Sequence, residues 1–325
     1  MLTYKISPFI LIESSYKQQK NLSYQENIMQ DIVMREGTEF ASADNVLSFL
    51  RSERCRIVYR IIRKKNIKGH AERAALRARG TSMFILDYEK GKPHPTVHEY
   101  PDDPIYKSFG PLLSPDGTRM LYNHSFNRTD IIIVPIGGGE PVKIAEGANP
   151  RWCQDEATGN LYVVYRADNA SYQKVPQDGI TYRQQIAPDN QPVGEPEIIA
   201  MYGFGGGMST DGRFLCTAFR LVCAMDRRTG AISAPLGTVR QEPGWENQCC
   251  CPSIAPDNTG RIMVLRWPHE RFTVLGWDGT NMTHYYIPKD GGEWQTPEWS
   301  THPDFGTASI MNNELLYDIV IINLK

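Results

Sequence analysis

The chain has 325 residues, 41% of them hydrophobic and 22% charged, with a formal net charge of −2. That balance is ordinary for a soluble globular protein, and it excludes both a highly charged disordered chain and a protein basic enough to bind nucleic acid by overall charge. No apolar run approaches the ~18 residues that suggest a membrane-spanning helix.

Residues 1–35 are rich in Gln, Asn, Ser and Tyr and carry no hydrophobic period, so they read as a poorly ordered lead to a folded domain over 36–325. The apolar patch at 6–12 is broken by Pro8 and has no convincing cleavage site, which makes a poor signal peptide. Met29 and Met34 are alternative starts, so the compartment stays open, with a periplasmic or secreted ancestry compatible with the chain. VLSFL at 46–50 is expected to form the inner strand of an opening repeat, and CRIVYRIIRK and TSMFILDY are expected to form its later strands. Between them lies an insertion, 63–80, in which GHAERAALRARG favours a short helix. Residues 51–79 hold eleven Lys or Arg against Glu53 and Glu72. From Arg51 to Arg79 the chain is therefore either a solvated insertion or a contact for an anionic partner; nucleic acid is disfavoured because aromatic interleaving is nearly absent.

Further along, one pattern recurs. GPLLSPDGTRMLYNH from Gly110 returns as NPRWCQDEATGNLYVVYRA, GGGMSTDGRFLCTAF, CPSIAPDNTGRIMVLRW and TPEWSTHPDFGTASI. Aligned on Ser114, the equivalent positions are Cys153, Ser209, Ala255 and Ser300, at intervals of 39, 56, 46 and 45 residues. Three residues earlier stand Pro111, Pro150, Gly206, Pro252 and Pro297. A period of about 40–45 residues with several short strands per repeat marks propeller blades. Each repeat turns sharply because Pro115 presets φ, Asp116 accepts backbone N–H groups and Gly117 tolerates positive φ. Runs such as IIIV, LYVVY and IMVLRW are continuously apolar, as strands buried on both faces must be.

GPLLSPDGTRMLYNH followed by DIIIVPIGGGEPVKIAEG resembles the TolB-type, WD40-like propeller repeat, in which P-x-W-S-P-D-G leads into a strand and G-G-E-P into a closing one. Five copies cover roughly 105–315, with Gln154, Thr210 and His302 departing from the pattern. The resemblance implies an all-β fold: a single β-propeller of six four-stranded blades, with seven as the alternative count. It also implies that a strand near 36–50 completes the last blade.

In such a propeller the loops entering the inner strands form the mouth of a funnel. Phe109, Tyr202, Phe204, Trp245 and Trp294 fall there, beside Asn149, Glu246, Asn247, Gln248, Glu293 and Gln295. Ring faces with convergent hydrogen-bonding groups suit a sugar or a peptide, whereas rings wedged between blades would only hold the fold. Phe109, Phe204, Trp245, Glu246, Asn247 and Trp294 are accordingly the expected contacts of a non-enzymatic binding module. A glycan is the first ligand class, a protein or peptide the second, and no cofactor is expected. The alternative is a polysaccharide lyase resembling propeller enzymes that act on acidic glycans with a divalent metal. It would rest on His302 and Asp304 as catalytic groups. His302 reads equally as a turn cap replacing the usual Asp.

The seven cysteines form no paired C-x-x-C set, which argues against structural zinc. Cys216 and Cys223 read as buried thiols that could meet across neighbouring strands, and Cys249, Cys250 and Cys251 remain open between packing, a vicinal disulfide and soft-metal binding. No hydrolase, P-loop, dinucleotide or HExxH signature is present.

Overall fold

The computed structural model describes residues 9–12, 14–16, 30–34, 38–40, 43–62, 81–93, 95–100, 109–124, 130–167, 179–216, 221–233, 237–238, 249–266, 269–286, 293–311 and 317–324. Among them the chain is almost wholly β, with one helix. Two compact units emerge: Ser42–Ser171 with Gly179–Gly205, and Gly206–Lys325 with Met1–Ala41 and Tyr172–Asp178. Each is a run of three β-propeller blades, six in all, which meets the first of the two expected counts.

In the unit built on Ser42–Ser171, blade 1 has three antiparallel strands, Arg54–Ile62, Thr81–Glu89 and Thr96–Tyr100. Ile62 pairs with Thr81, so 63–80 connects two paired strands. The insertion itself, including the helix expected at 69–80, lies outside the described residues. VLSFL does not form a strand; it belongs to the helix Ala43–Leu50. The reason is periodicity: Ala43, Val46, Leu47 and Leu50 repeat at helical spacing, three of them are buried, and Asp44 favours the first turn. Blade 2 comprises Phe109–Leu113, Arg119–His124, Asp130–Pro135 and Val142–Glu146. Blade 3 comprises Ala148–Gln154, Leu161–Arg166, Thr181–Ile186 and Pro192–Ala200.

Continuous apolar strands pay off through their two-residue period. In Asp130–Pro135, Ile131 and Ile133 face blade 3 in one apolar cluster, while Ile132 and Val134 join Met83, Met120 and Tyr122 toward blade 1. Ile262–Arg266 repeats the division, with Ile262 and Val264 in one cluster and Met263 and Leu265 in the next.

In the other unit, blade 4 is the slightest, with Phe214–Cys216, Ala224–Asp226 and Ala231–Ile232 joined to an isolated bridge between Met208 and Leu215. Blade 5 comprises Cys249–Ile254, Ile262–Arg266, Arg271–Leu275 and Thr283–Tyr286. Blade 6 comprises Glu293–Trp299, Phe305–Met311 and Tyr317–Asn323. Its fourth strand comes from the other chain end: Phe9–Ile12 runs parallel to Tyr317–Asn323, and Thr38–Phe40 pairs beyond it. The strand expected near 36–50 thus lies one place further out. Gln30–Met34 adds in parallel to the outer edge of blade 5, and Ser14–Tyr16 pairs with it. Three of these strands fall within 1–35, the stretch read from sequence as a lead.

Neighbouring blades are stitched through main-chain oxygens. Trp152 donates its indole N–H to Leu112 O of blade 2 at 3.2 Å, and Trp299 donates to Ser253 O of blade 5 at 3.1 Å. Both acceptors stand two residues before the aligned serine position. Across the turns, Arg56 donates to Gly117 O at 2.6 Å and Arg261 to Pro303 O at 3.2 Å. Asn258 Oδ1 accepts from the Asp211 N–H and the Thr210 hydroxyl at 2.9 and 2.8 Å. Trp299→Phe keeps most of the packing but strands a buried carbonyl, so unfolding in urea should show a loss of about 1–3 kcal/mol. The same change at the half-buried Trp152 should cost less.

Candidate functional site

The end of each inner strand that bears the proline is distorted in the same way. Two residues face one across the ladder: Gly110 and Pro111 in blade 2, Asn149 and Pro150 in blade 3, Cys251 and Pro252 in blade 5, Thr296 and Pro297 in blade 6. Proline has no N–H to give the ladder, so the strand bulges around it. Asn149 and Cys251 absorb the extra residue at φ 52° and 50°. Blade 4 supplies the control: Gly206 replaces the proline, and its N–H donates to Cys216 O at 2.9 Å.

Blades 5 and 6 gather polar groups at these bulged ends. His269, at φ 76°, donates its N–H to Arg266 O and accepts from the Trp294 N–H, each at 2.7 Å. That tie places Glu293, exposed, beside the turn that carries His269. Burial pulls the His269 imidazole below its ordinary value, opposed by the negative charge of Glu293 and of Cys251. Cys251 is half-buried, forms no disulfide and packs on the apolar cluster between the two blades. The sequence signal for this grouping was the three-cysteine run together with Glu293; the approach of His269 was missed because it depends on a turn in another hairpin.

The expected aromatic contacts fare differently. Trp294 is 0% exposed and meets Phe272 edge-on at 5.2 Å; its indole N–H has no hydrogen-bond partner among the described residues. Phe204 is also 0% exposed, tilted against Tyr202 at 4.9 Å, and its N–H donates to Thr181 Oγ1 at 2.8 Å. Neither offers a ring face to solvent. Phe109 stands at the bulged end of blade 2, its backbone opposite Asn123. Trp245, Glu246 and Asn247 lie outside the described residues.

His302 is a turn residue. Ser300 Oγ donates to His302 O at 2.8 Å and accepts from the His302 N–H at 2.9 Å, while His302 Nδ1 accepts the Asp304 N–H at 3.2 Å. Elsewhere the carboxylate has this role: Asp116 accepts the Thr118 N–H and Asp211 the Arg213 N–H, both at 3.0 Å. The Asp304 carboxylate comes no closer than 3.9 Å to Nδ1. Among the described residues no three His, Cys, Asp or Glu side chains are placed to hold a metal.

Part of the basic stretch is spent internally. Asp87 receives Arg54 at 2.5 Å and Arg56 at 2.9 Å, and its carboxyl is lowered to about 2 chiefly by the hydrogen bond from Arg54. Burial, with the Asp87 charge, pushes the Cys55 thiol up to about 12. Cys153, Cys216 and Cys223 are buried free thiols. No described helix is long and apolar enough to cross a membrane.

No protein-family model and no curated protein matches the chain. Among solved structures it is similar to TolB from Acinetobacter baumannii, at 11% identity and a TM-score of 0.48, over 83% of this chain and 66% of that one. It is similar at 14% identity and a TM-score of 0.42 to a puromycin hydrolase variant, over 75% of this chain and 42% of that one. A nidogen/laminin complex aligns at 14% identity and a TM-score of 0.42, over 75% of this chain and 78% of that one.

If His302 only closes its turn, His302→Asp should leave the chemical-denaturation midpoint unchanged, while His302→Ala should lower stability by about 0.5–1 kcal/mol. The depressed Asp87 carboxyl contributes stability that is complete above its ordinary value of 3.8 and lost as pH falls through about 2. With Arg54 half exposed, that contribution is of order 1 kcal/mol. Asp87→Asn should flatten this part of the stability profile between pH 5 and 2, read by urea melts.

Proposed function

We propose that the chain is a non-enzymatic binding module that takes an extended segment of a partner protein along the bulged strand ends of blades 5 and 6. The observation that carries this reading is the repeated bulge. It removes Cys251 and Pro252, and again Thr296 and Pro297, from the strand ladder at the same end of two adjacent blades. A peptide's backbone groups can complement main chain taken out of a ladder, with Pro252 and Pro297 contributing carbonyls only. His269, Glu293 and the Cys251 thiol add side-chain donors and acceptors beside it. Trp294 and Phe204 have no exposed ring face to stack a sugar, which favours a peptide over a glycan. The lyase reading loses its base, since His302 Nδ1 is occupied by the Asp304 N–H. The basic residues between Arg51 and Arg79 that are not paired with Asp87 would supply a second, salt-sensitive contact for an anionic part of the partner.

Selection of a random peptide library on the full chain, with an oligosaccharide array in parallel, tests the proposal. Enriched peptides should bind the wild type and lose about tenfold in affinity or more with Glu293→Gln, the worth of one charge-assisted hydrogen bond, and several-fold with His269→Asn, the worth of a neutral one. Binding confined to oligosaccharides, or cleavage of a uronate polymer that requires a divalent metal, would overturn it.

A further inference from the structure

Blade 4 departs from blade 2 just after the strand Ala224–Asp226. In blade 2 the residue at that point, Ile136, donates its N–H to Thr118 O at 2.9 Å; in blade 4 the equivalent bond runs from Arg227 to Arg213 O at 2.8 Å. Ile136 and Gly137 therefore correspond to Arg227 and Arg228. The repeat is satisfied by an apolar residue and a glycine, so folding alone does not call for two arginines.

A third guanidinium stands beside them. Arg213 grips Asp226 with two hydrogen bonds, at 3.0 and 2.6 Å, and lies over the Phe214 ring at 4.4 Å. Asp226 is 1% exposed, and its carboxyl is lowered to about 2 principally by that pair of bonds. Arg213 is thus committed to the fold. Arg227 is anchored by donating from Nη1 to Gly212 O at 2.7 Å. Gly212 sits at φ 69°, and a Cβ there would come within 3.5 Å of that nitrogen. Arg228 is exposed; its N–H donates to Asp226 Oδ1 at 3.0 Å and its charge helps lower that carboxyl, while its guanidinium makes no hydrogen bond among the described residues. Asp211, the nearest other carboxylate, holds the Ser209 hydroxyl and the Arg213 N–H on Oδ1, at 2.6 and 3.0 Å.

Asp211, Gly212, Arg213, Arg227 and Arg228 line an open notch of about 470 Å³ at the turn end of the blade, away from the bulged strand ends. Its donors are planar forks suited to paired oxygens. We propose that this notch is an oxyanion-binding site in which the anchored Arg227 and the exposed Arg228 together clasp one anionic group. Arg213 and Asp226 hold the hairpin that presents them. The proposal does not depend on the peptide reading of blades 5 and 6, since it uses other residues at the other end of the strands.

Calorimetric titration of the full chain with inorganic phosphate, pyrophosphate and a short polyglutamate peptide, each at low and high salt, provides the test. Wild type should saturate with at least one of them, more weakly at high salt. Arg228→Gln should weaken binding by about tenfold or more with little change in melting temperature, because the exposed side chain makes no hydrogen bond and only a secondary charge contact with Asp226. Arg227→Gln should weaken it similarly. Saturation by phosphate or pyrophosphate would assign the site to a free anion, and saturation by the peptide alone to acidic side chains of a partner. No saturation by any of the three, or equal affinity in both variants and wild type, would overturn the proposal.

Discussion

An indole N–H given to a main-chain oxygen of the preceding blade is the contact on which the rest of this architecture depends. Inner strands belong to different sheets and share no ladder, so nothing in β-pairing alone fixes how one blade leans on the next. Trp152 on Leu112 and Trp299 on Ser253 fix it at one level, and the turn contacts of Arg56 and Arg261 fix it at another. With the sheets held at that separation, alternate side chains of each strand fill the gap on either face. The residues of Asp130–Pro135 divide between two clusters for this reason. A buried carbonyl without its donor would carry an unmet desolvation cost, so polar and apolar terms favour the same spacing.

The same locking accounts for where the irregular backbone collects. Asn149, Cys251 and His269 hold positive φ without being glycine, a conformation that costs free energy unless the surroundings enforce it. At Cys251 the enforcement is local: Pro252 follows, and Ser253 is gripped from blade 6 by Trp299 and by Glu298, which accepts the serine hydroxyl at 2.9 Å. The polar grouping at the strand ends is thus a by-product of stitching. The notch on blade 4 has another origin, in a hairpin whose arginines the repeat does not require.

Much of the fold was legible in the sequence because the turn chemistry repeats. Ser-Pro-Asp-Gly and its variants located the hairpins, and unbroken apolar runs announced strands covered on both faces. VLSFL was misread because five apolar-rich residues cannot distinguish a strand from a helix; Ala43 and Asp44, just upstream, resolve it. The N-terminal strands escaped notice because an added edge strand buries little and needs no strong pattern. Site reading was weaker still. An aromatic before an inner strand was taken as a ligand face, yet Trp294 spends its surface on Phe272 and the core. Conversely, His269 near Cys251 and Glu293 is a relation between hairpins, and Arg213 on Asp226 a cross-strand pairing within one, that linear spacing does not display.

A joint between a tryptophan and a main-chain oxygen constrains the sequence on one side only. The indole bond asks only for a carbonyl at Leu112 or Ser253, so as far as that bond goes the accepting side chain can change; at Ser253 the hydroxyl adds a second contact, to Glu298. Copies of such a blade can therefore drift apart after duplication without losing the joints between them. This offers a physical reason why blades of one chain share a handful of turn residues and little else, and why ancestry in such proteins fades from sequence well before it fades from architecture.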